Sequence, residues 1–161
     1  MLFRSDNKIL VVGSKQGFGN TNLAVRRYNI SGSIDQSFNA GQIVSVDFSG
    51  GDDHGYAIKL QPDGKILLAA SVSDLYGNES LGLARLLSEG SLDMLFDTDG
   101  RVTMNADGDV APSAIIVQPD GKILAAGTMN DVMYNSKMIV GRWLAGGRAD
   151  STWGTYGVSV I

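Results

Sequence analysis

Short apolar runs separated by polar turns recur along the chain, and no segment shows the apolar spacing that is typical of an amphipathic helix. Residues 57–60 and 66–69 form one pair of such runs around a turn, and residues 114–117 and 123–126 form another. The second pair is apolar at consecutive positions and not only at alternate ones. Strands with this pattern have both faces of their sheet covered. The pattern therefore predicts an all-β protein whose sheets are covered on both sides.

The turn between the paired runs belongs to a sequence repeat. Gln-Pro-Asp-Gly-Lys-Ile-Leu occupies residues 61–67 and again residues 118–124, so that Lys65 and Lys122 are 57 positions apart. Lys8 precedes Lys65 by another 57 positions. A chain that repeats at such a period is an array of one supersecondary unit.

Each copy of this turn predicts a β-hairpin. Proline favours the second position of a type I turn, and the glycine after Asp63 or Asp120 takes the left-handed conformation that closes a three-residue hairpin loop with a bulge. Asn7 replaces Gly64 and Gly121 in the first copy, and asparagine is the non-glycine residue best tolerated at positive φ. We therefore assign Asp63 and Asp120 to turn formation and not to acid catalysis.

A second set of residues recurs in register with the turns. Each repeat has an arginine, a glycine five residues later, an aspartate eight residues later and an aromatic residue eleven residues later. We expect each arginine to pair with the aspartate of its own repeat; the alternative is that the three arginines form an anion-binding set. The positions are Arg27, Gly32, Asp35 and Phe38, then Arg85, Gly90, Asp93 and Phe96, and finally Arg142, Gly147, Asp150 and Trp153.

The repeats predict four strands each. The predicted strands are 1–4, 8–13, 22–28 and 43–48, then 56–61, 65–71, 81–87 and 101–104, and finally 113–118, 122–128, 137–144 and 158–161. Four-stranded units of this length with both faces covered are typical of β-propeller blades. The sequence thus predicts a single partial β-propeller domain over residues 1–161, with blade 1 at 1–51 (its first strand truncated), blade 2 at 52–108 and blade 3 at 109–161.

The repeated motif resembles the bacterial delta-60 repeat. Residues 114–127 match its first half, Ala-x-x-x-Gln-Pro-Asp-Gly-Lys-Ile-Leu-x-Ala-Gly, and residues 84–100 match its second half. Ser5, Gly141 and Trp153 depart from the pattern by replacing Pro, Ala and Phe. The resemblance implies a β-propeller in an extracellular or surface-associated bacterial protein, and it implies no known chemistry.

Three blades do not close a ring, since propellers typically have about four to eight. The end blades would then expose apolar sheet faces larger than soluble monomers tolerate. Further blades of the same chain would cover these faces if the chain is a fragment, and a second copy would cover them in a six-bladed homodimer. The start within a strand and the abrupt end at Ile161 favour a fragment, whereas closed symmetry favours the homodimer.

Composition and charge exclude several classes of partner. A net charge of −4 and a pI near 4.8 are unlike those of a nucleic-acid-binding protein. The chain has no cysteine, which excludes disulfides and thiolate metal sites. No apolar run approaches the ~18 residues that span a bilayer, and residues 1–5 are too short and polar for a signal peptide. Neither a phosphate loop nor a dinucleotide fingerprint is present, so we predict no cofactor.

The loops between the second and third strands of a blade lie on the same rim as the connections between blades. These segments, 16–21, 73–80 and 130–136 together with 49–55 and 105–109, are acidic, rich in amides and dotted with aromatic residues. Such a rim is suited to a glycan, a protein or a cation; the alternative is a solvated loop face. The candidate binding residues are Asp52, Asp53, His54, Tyr76, Asp107, Asp109 and Tyr134.

Two further features of the sequence are weak signals of chemistry. Residues 97–100, Asp-Thr-Asp-Gly, begin like a calcium loop but lack its remaining ligands, so we predict no metal site there. His54 is the only histidine, and nucleophilic catalysis would need a serine or threonine that it activates. We interpret His54 as a loop residue without a catalytic role.

The leading hypothesis for function is a non-catalytic β-propeller segment that serves as a binding or display scaffold. It follows because each recurrent residue has a structural explanation. One alternative is a hydrolase or lyase acting on glycans, with its site at Asp52, Asp53 and His54. Another is an architectural spacer without a ligand.

Overall fold

The computed structural model describes residues 2–3, 7–105, 108–131 and 133–161. These residues form twelve strands and one short 3-10 turn at Asn39–Gly41. The strands are β1 (Leu2–Phe3), β2 (Lys8–Gln16), β3 (Thr21–Asn29), β4 (Val44–Val46), β5 (Asp53–Leu60), β6 (Ile66–Ser73), β7 (Glu79–Leu86), β8 (Arg101–Asn105), β9 (Gly108–Val117), β10 (Ile123–Asp131), β11 (Ser136–Trp143) and β12 (Val158–Val160).

The strands form three four-stranded antiparallel sheets, and each sheet takes four consecutive strands in sequence order. We call them blade 1 (β1–β4), blade 2 (β5–β8) and blade 3 (β9–β12). The predicted all-β fold of three four-stranded blades is confirmed. Of the predicted first strand, 1–4, the structure places Leu2–Phe3 in β1, whereas Met1 and Arg4 lie outside the described residues. In the described part of the chain, no helix has the length and apolar character to cross a membrane.

The repeated turn closes the hairpin as predicted. Gly64 and Gly121 have φ of +84° and +83°, and Asn7 has φ of +59°. The carboxylates of the two turn aspartates stabilise the turn from within. The N–H of Lys65 donates to Asp63 at 3.2 Å and that of Lys122 donates to Asp120 at 3.1 Å.

The first strands of blades 2 and 3 begin earlier than predicted. The sequence places their starts at Tyr56 and Ser113, whereas β5 begins at Asp53 and β9 at Gly108. The pairing register skips Tyr56 in β5 and Ser113 in β9, so each strand continues through a β-bulge at the same point of the repeat. The preceding Gly55 and Pro112 are typical strand breakers, but a bulge accommodates both residue types.

The hydrophobic core consists of two clusters, one at each junction between blades. Burial of one large aliphatic side chain in such a cluster contributes about 1.5–3 kcal/mol. The cluster between blades 1 and 2 includes Leu10, Leu23, Phe38, Ile66 and Leu86, and the cluster between blades 2 and 3 includes Leu83, Phe96, Ile115, Ile123 and Trp143.

Strand β6 is buried along nearly its whole length because a blade lies on each side of it. Ile66, Leu68 and Ala70 belong to the cluster at blade 1, whereas Leu67 and Ala69 belong to the cluster at blade 3. Successive side chains of a strand point to opposite faces, so both faces of β6 are covered. The consecutive apolar pattern of residues 66–69 therefore corresponds to two covered faces. Residues 114–117, from which the same prediction follows, are covered on one face only in this chain, since Ile115 is buried whereas Ile116 is 53% exposed.

Candidate functional site

The loops between the second and third strands of the blades adjoin the connections between blades. The side-chain amide of Asn20, in the β2–β3 loop, donates to the carbonyl of Gly51 at 2.9 Å. The carbonyl of Asp52 in turn accepts from the N–H of Ser73 at 2.9 Å. The connection between blades 1 and 2 therefore joins the loop of one blade to the loop of the next.

A polar groove of about 760 Å³ lies beside these loops. The predicted proximity of the two kinds of loop is present here, since the groove is shared by the β6–β7 loop and by Ser49 in the connection between blades 1 and 2. The ends of β8 and β9 complete it, so that the candidate residue Asp109 lies in a strand and not in a loop. We call the loops and the groove together the rim. The groove is lined by Ser49, Asp74, Asn78, Glu79, Asn105 and Asp109, among others. The candidate residue Asp107 lies outside the described residues.

An aspartate–asparagine pair holds the rim loop of blade 2 in a fixed shape. Asp74 accepts hydrogen bonds from the N–H groups of Tyr76 at 2.8 Å and Asn78 at 3.0 Å, and from the Asn78 side-chain amide at 2.8 Å. The bonds from Asn78, followed by that from the N–H of Tyr76, lower the pKa of Asp74 despite partial desolvation. Gly77 completes the loop at φ of +81°.

The rim loop of blade 3 repeats this construction. Asp131 accepts from the N–H groups of Met133 at 2.9 Å and Asn135 at 3.0 Å. Lys137 adds an ion pair to Asp131 at 2.9 Å, and this lysine is the main reason that the pKa of Asp131 lies well below its usual range. Tyr134 takes the position of Gly77, with φ of +61°. Two neighbouring blades thus present loops of the same local design.

Each rim loop carries an exposed aromatic side chain at its tip. Phe18, Tyr76 and Tyr134 are 108%, 91% and 86% exposed, and each is 58 residues from the next along the chain. Leu75 and Met133 beside the two tyrosines are also exposed. We call Phe18, Tyr76 and Tyr134 the aromatic tips. All three lie in loops that the sequence places on the rim, and Tyr76 and Tyr134 are the two predicted there as candidate binding residues.

Asp52 and Asp53 have structural partners in the protein. Asp52 accepts from the N–H of Thr21 at 2.6 Å, which links the connection to the β2–β3 loop. The sequence places Asp53 on the exposed rim, whereas the structure buries it completely at the start of β5. One oxygen of Asp53 accepts from the N–H of Phe48 at 2.9 Å, and the other has no partner among the described residues. Burial raises the pKa of Asp53 to about 6, against the opposing bond from Phe48.

His54 lies in β5 and not in a loop, next to Ser14 of blade 1. Its Nδ1 is 3.3 Å from the Ser14 hydroxyl oxygen, which is at the long end for a hydrogen bond. Sequence spacing gives no sign of this pair because 40 residues separate its members. A serine beside an imidazole is the first element of a nucleophilic site. In the described portion of the chain, the imidazole donates no hydrogen bond to an acidic side chain.

The arginines predicted to pair with aspartates do so in all three blades. The lysine of the hairpin turn, which the sequence does not connect to this pair, also contacts the same aspartate. Each aspartate therefore faces two cations. The N···O distances are 2.7 Å for Arg27–Asp35, 2.7 Å for Arg85–Asp93 and 2.8 Å for Arg142–Asp150, and 3.3 Å for Lys8–Asp35, 3.2 Å for Lys65–Asp93 and 3.7 Å for Lys122–Asp150.

These aspartates are held in the ionised form. Burial by itself would raise the pKa of Asp35, but hydrogen bonds from the hydroxyl and N–H of Ser37 and from Arg27 hold it well below its usual range. Burial likewise opposes the lowered pKa of Asp93, where Lys65, the N–H of Leu95 and Arg85 outweigh it. The carboxylates therefore stabilise the fold at neutral pH.

The aromatic residue of each repeat lies beneath the arginine of its own blade. The guanidinium carbon is 4.6 Å from the ring centre of Phe38 in blade 1, 4.5 Å from that of Phe96 in blade 2 and 5.2 Å from that of Trp153 in blade 3. Such contacts are cation–π interactions. The constant spacing of eleven residues is the signal that points to this contact, although the sequence does not show which surfaces meet.

The calcium-like segment 97–100 forms a turn before β8, and its residues have structural roles. Asp99 pairs with Arg101 at 2.9 Å, and Asp97 and Thr98 have positive φ. Across the described ranges, no cluster of three or more histidine, aspartate or glutamate side chains could hold a metal ion.

A family model that is described as a domain of unknown function (DUF5122) beta-propeller matches residues 4–38, 61–96 and 118–152. The chain belongs to the DUF5122 beta-propeller family. The three matched segments are the three repeats, and each begins near the hairpin turn. The first two end at Phe38 and Phe96, and the third ends one residue before Trp153. No curated protein matches the chain. The DUF5122 segments thus contain the hairpin and the arginine–aspartate pair, while the rim loops lie between these recurrent features.

Proposed function

We propose that this DUF5122 chain is a non-catalytic binding or display scaffold whose ligand contacts the aromatic tips. The observation that carries the proposal is that each of the three rim loops presents one fully exposed aromatic side chain, Phe18, Tyr76 or Tyr134. Exposed apolar groups that recur on one side of a soluble domain are typical of interaction sites. Aromatic residues are also enriched in protein interfaces.

The construction of the rim loops supports a binding role. Asp74 and Asp131 fix the loops before any ligand arrives, so less conformational entropy is lost on binding. The groove beside the β6–β7 loop offers the carboxylate of Asp109 and the amide of Asn78. Apolar tips next to convergent polar groups suit a glycan or a protein ligand.

We further propose that the protein is bacterial and exported or surface-associated, and that its repeats are delta-60 repeats. The support is the resemblance of residues 84–100 and 114–127 to that repeat. Secretion of the full-length protein, tested by fractionation of its native host, checks the location.

Alanine replacement of the aromatic tips tests the binding function. We expect the triple variant Phe18→Ala, Tyr76→Ala and Tyr134→Ala to lose at least about tenfold in affinity for a ligand found on glycan and protein arrays, because buried aromatic contacts are among the strongest in interfaces. Leu95→Ala is the control, since Leu95 is 84% exposed but lies in the β7–β8 connection. If the triple variant binds the ligand as tightly as the unmodified chain, the aromatic tips do not contact the ligand. Absence of any saturable binding in calorimetry with glycans, proteins and divalent ions would favour the spacer.

A hydrolase acting on glycans is the second candidate, and one observation favours it. Ser14 and His54 lie 3.3 Å apart on neighbouring blades, and an imidazole can activate a serine hydroxyl. The test is turnover of chromogenic glycosides and esters by the unmodified chain and by Ser14→Ala. Activity that Ser14→Ala abolishes would support a hydrolase that uses Ser14. Absence of turnover by the unmodified chain would exclude the hydrolase.

A further inference from the structure

The two junctions between blades use the same three contacts. In the first contact, an arginine of one blade donates to a backbone carbonyl of the next. Arg27 Nη1 donates to the carbonyl of Ser88 at 2.8 Å, and Arg85 Nη1 donates to the carbonyl of Ala145 at 2.7 Å. Ser88 and Ala145 occupy equivalent positions in the turn that follows the third strand of a blade.

The second contact joins backbone groups. The N–H of Asn39, which follows Phe38, donates to the carbonyl of Glu89 at 2.8 Å. The N–H of Asp97, which follows Phe96, donates to the carbonyl of Gly146 at 2.8 Å. The same turn therefore accepts two hydrogen bonds at each junction.

The third contact places an aromatic ring against a glycine. A Cβ built on Gly90 would lie 3.0 Å from the ring of Phe38, and one built on Gly147 would lie 3.0 Å from the ring of Phe96. A side chain at this position would press against the ring, and the positive φ of both residues also favours glycine. We call the arginine, the ring and the following N–H of a blade its donor edge, and the turn with two carbonyls and a glycine its acceptor edge.

Among the described residues, the donor edge of blade 3 makes none of these contacts with another blade. Arg142 pairs with Asp150 through Nη2, and its Nε has no hydrogen-bond partner among the described residues. Its side chain is 18% exposed, against 8% for Arg27 and for Arg85. Trp153 is partly exposed, although its equivalents in the other blades are buried.

In the part of the chain that the structure describes, the acceptor edge of blade 1 is likewise without these contacts. The equivalent carbonyls belong to Ile30 and Ser31, in an exposed turn. Within the described ranges, neither carbonyl accepts a hydrogen bond from another residue. A Cβ on Gly32 would meet no atom within 4 Å, whereas Gly90 and Gly147 are covered by a ring. The unfilled edges of blades 1 and 3 are therefore the two halves of one junction.

We propose that the donor edge of blade 3 binds the acceptor edge of blade 1 in a second copy of this chain, and that two copies close a six-bladed ring. A two-fold axis fills both unfilled edges of both copies with the contacts already made twice within each chain. Six blades lie within the usual range of about four to eight for propellers. Arg142 would then donate to Ile30 of the second copy, and Trp153 would cover its Gly32.

Solution mass at increasing protein concentration tests the ring. Light scattering and sedimentation between about 1 and 100 µM should give a species of about 34 kDa, twice the 17.0 kDa of one chain. We expect Arg142→Ala and Trp153→Ala to weaken association by at least about tenfold, and Trp153→Phe to retain it, since phenylalanine fills this position in the other blades. Arg148→Ala is the control, because Arg148 is exposed in the turn that faces blade 2.

A second variant tests the acceptor edge of blade 1 and is expected to leave the stability of the single chain unchanged. Asparagine tolerates positive φ, and the space at Gly32 is open within the chain, so Gly32→Asn should fold normally and still block the ring of Trp153. Tryptophan fluorescence follows the same event, because Trp153 becomes buried on association while Trp143 is buried already. A blue shift that grows with concentration is the expected result.

Three results would overturn the proposal. One is a mass of 17.0 kDa at all concentrations. Blades outside this chain, and not a second copy, would then be the partners of the two unfilled edges. Another is assembly into open-ended species larger than two copies. The last is a dimer that Arg142→Ala, Trp153→Ala and Gly32→Asn leave unchanged. The aromatic tips are absent from these edges, so the binding function is tested separately.

Discussion

The arginine on the third strand of each blade makes several contacts at once. Arg85 pairs with Asp93, lies over the ring of Phe96 and donates to the carbonyl of Ala145 in the next blade. A planar guanidinium can make all three contacts, whereas the compact ammonium of lysine cannot. Because the donors of Arg27 and Arg85 are used inside the protein, these two arginines are not available to bind anions.

At the same scale, Asp53→Asn should stabilise the protein at neutral and basic pH but not in acid. The pKa of Asp53 is raised by burial to about 6 from 3.8, so its favourable contribution is complete below pH 3.8 and is lost as the pH rises through about 6. We expect the variant to gain about 1 to 2 kcal/mol in free energy of unfolding at about pH 8, and nothing at about pH 4.

Urea unfolding at a series of pH values measures this difference. Asp52→Asn is the matched control, since Asp52 is an exposed carboxylate at the adjacent position. A loss of stability in Asp53→Asn at basic pH would show that the buried carboxylate is needed in its charged form.

At the scale of elements, the turn chemistry was predictable and the bulges were not. Proline, aspartate and glycine in succession specify one hairpin loop locally, so Gly64 and Gly121 could be assigned from sequence alone. The bulges at Tyr56 and Ser113 depend on how a neighbouring strand pairs. Local residue preferences do not contain that information, and the strands therefore begin earlier than predicted.

Replacement of Gly64 tests the left-handed turn. Gly64→Ala should lower the free energy of unfolding by about 1–2 kcal/mol, because an L-residue is strained at positive φ. Gly64→Asn should cost less, since Asn7 fills this place in the first repeat. Chemical unfolding gives both values. Gly13→Ala is the control, because Gly13 is in open space without positive φ, and equal, negligible effects of all three changes would contradict the assignment.

At the scale of the whole molecule, the location of the rim was predictable but the state of its residues was not. Loops alternate between the two ends of a blade, so the β2–β3 loop could be placed beside the connection between blades 1 and 2. Burial of Asp53 depends on contacts with groups distant in sequence, such as the N–H of Phe48. The contact of Arg27 with Ser88 likewise crosses 61 residues. Such contacts are determined by how blades stack, and residue spacing alone does not show which surfaces meet.

The blades are held together by the recurring arginines, and the relative effect of replacing each arginine by alanine is the most direct measurement of that claim. At protein concentrations too low for association, Arg27→Ala and Arg85→Ala should each lower the free energy of unfolding by about 3 kcal/mol or more, because each leaves a buried aspartate poorly compensated and removes a bond to the next blade. Arg142→Ala should cost roughly 1 to 2 kcal/mol less, since Arg142 makes no bond to another blade within the described chain. Equal losses for all three, or negligible losses for Arg27 and Arg85, would contradict it.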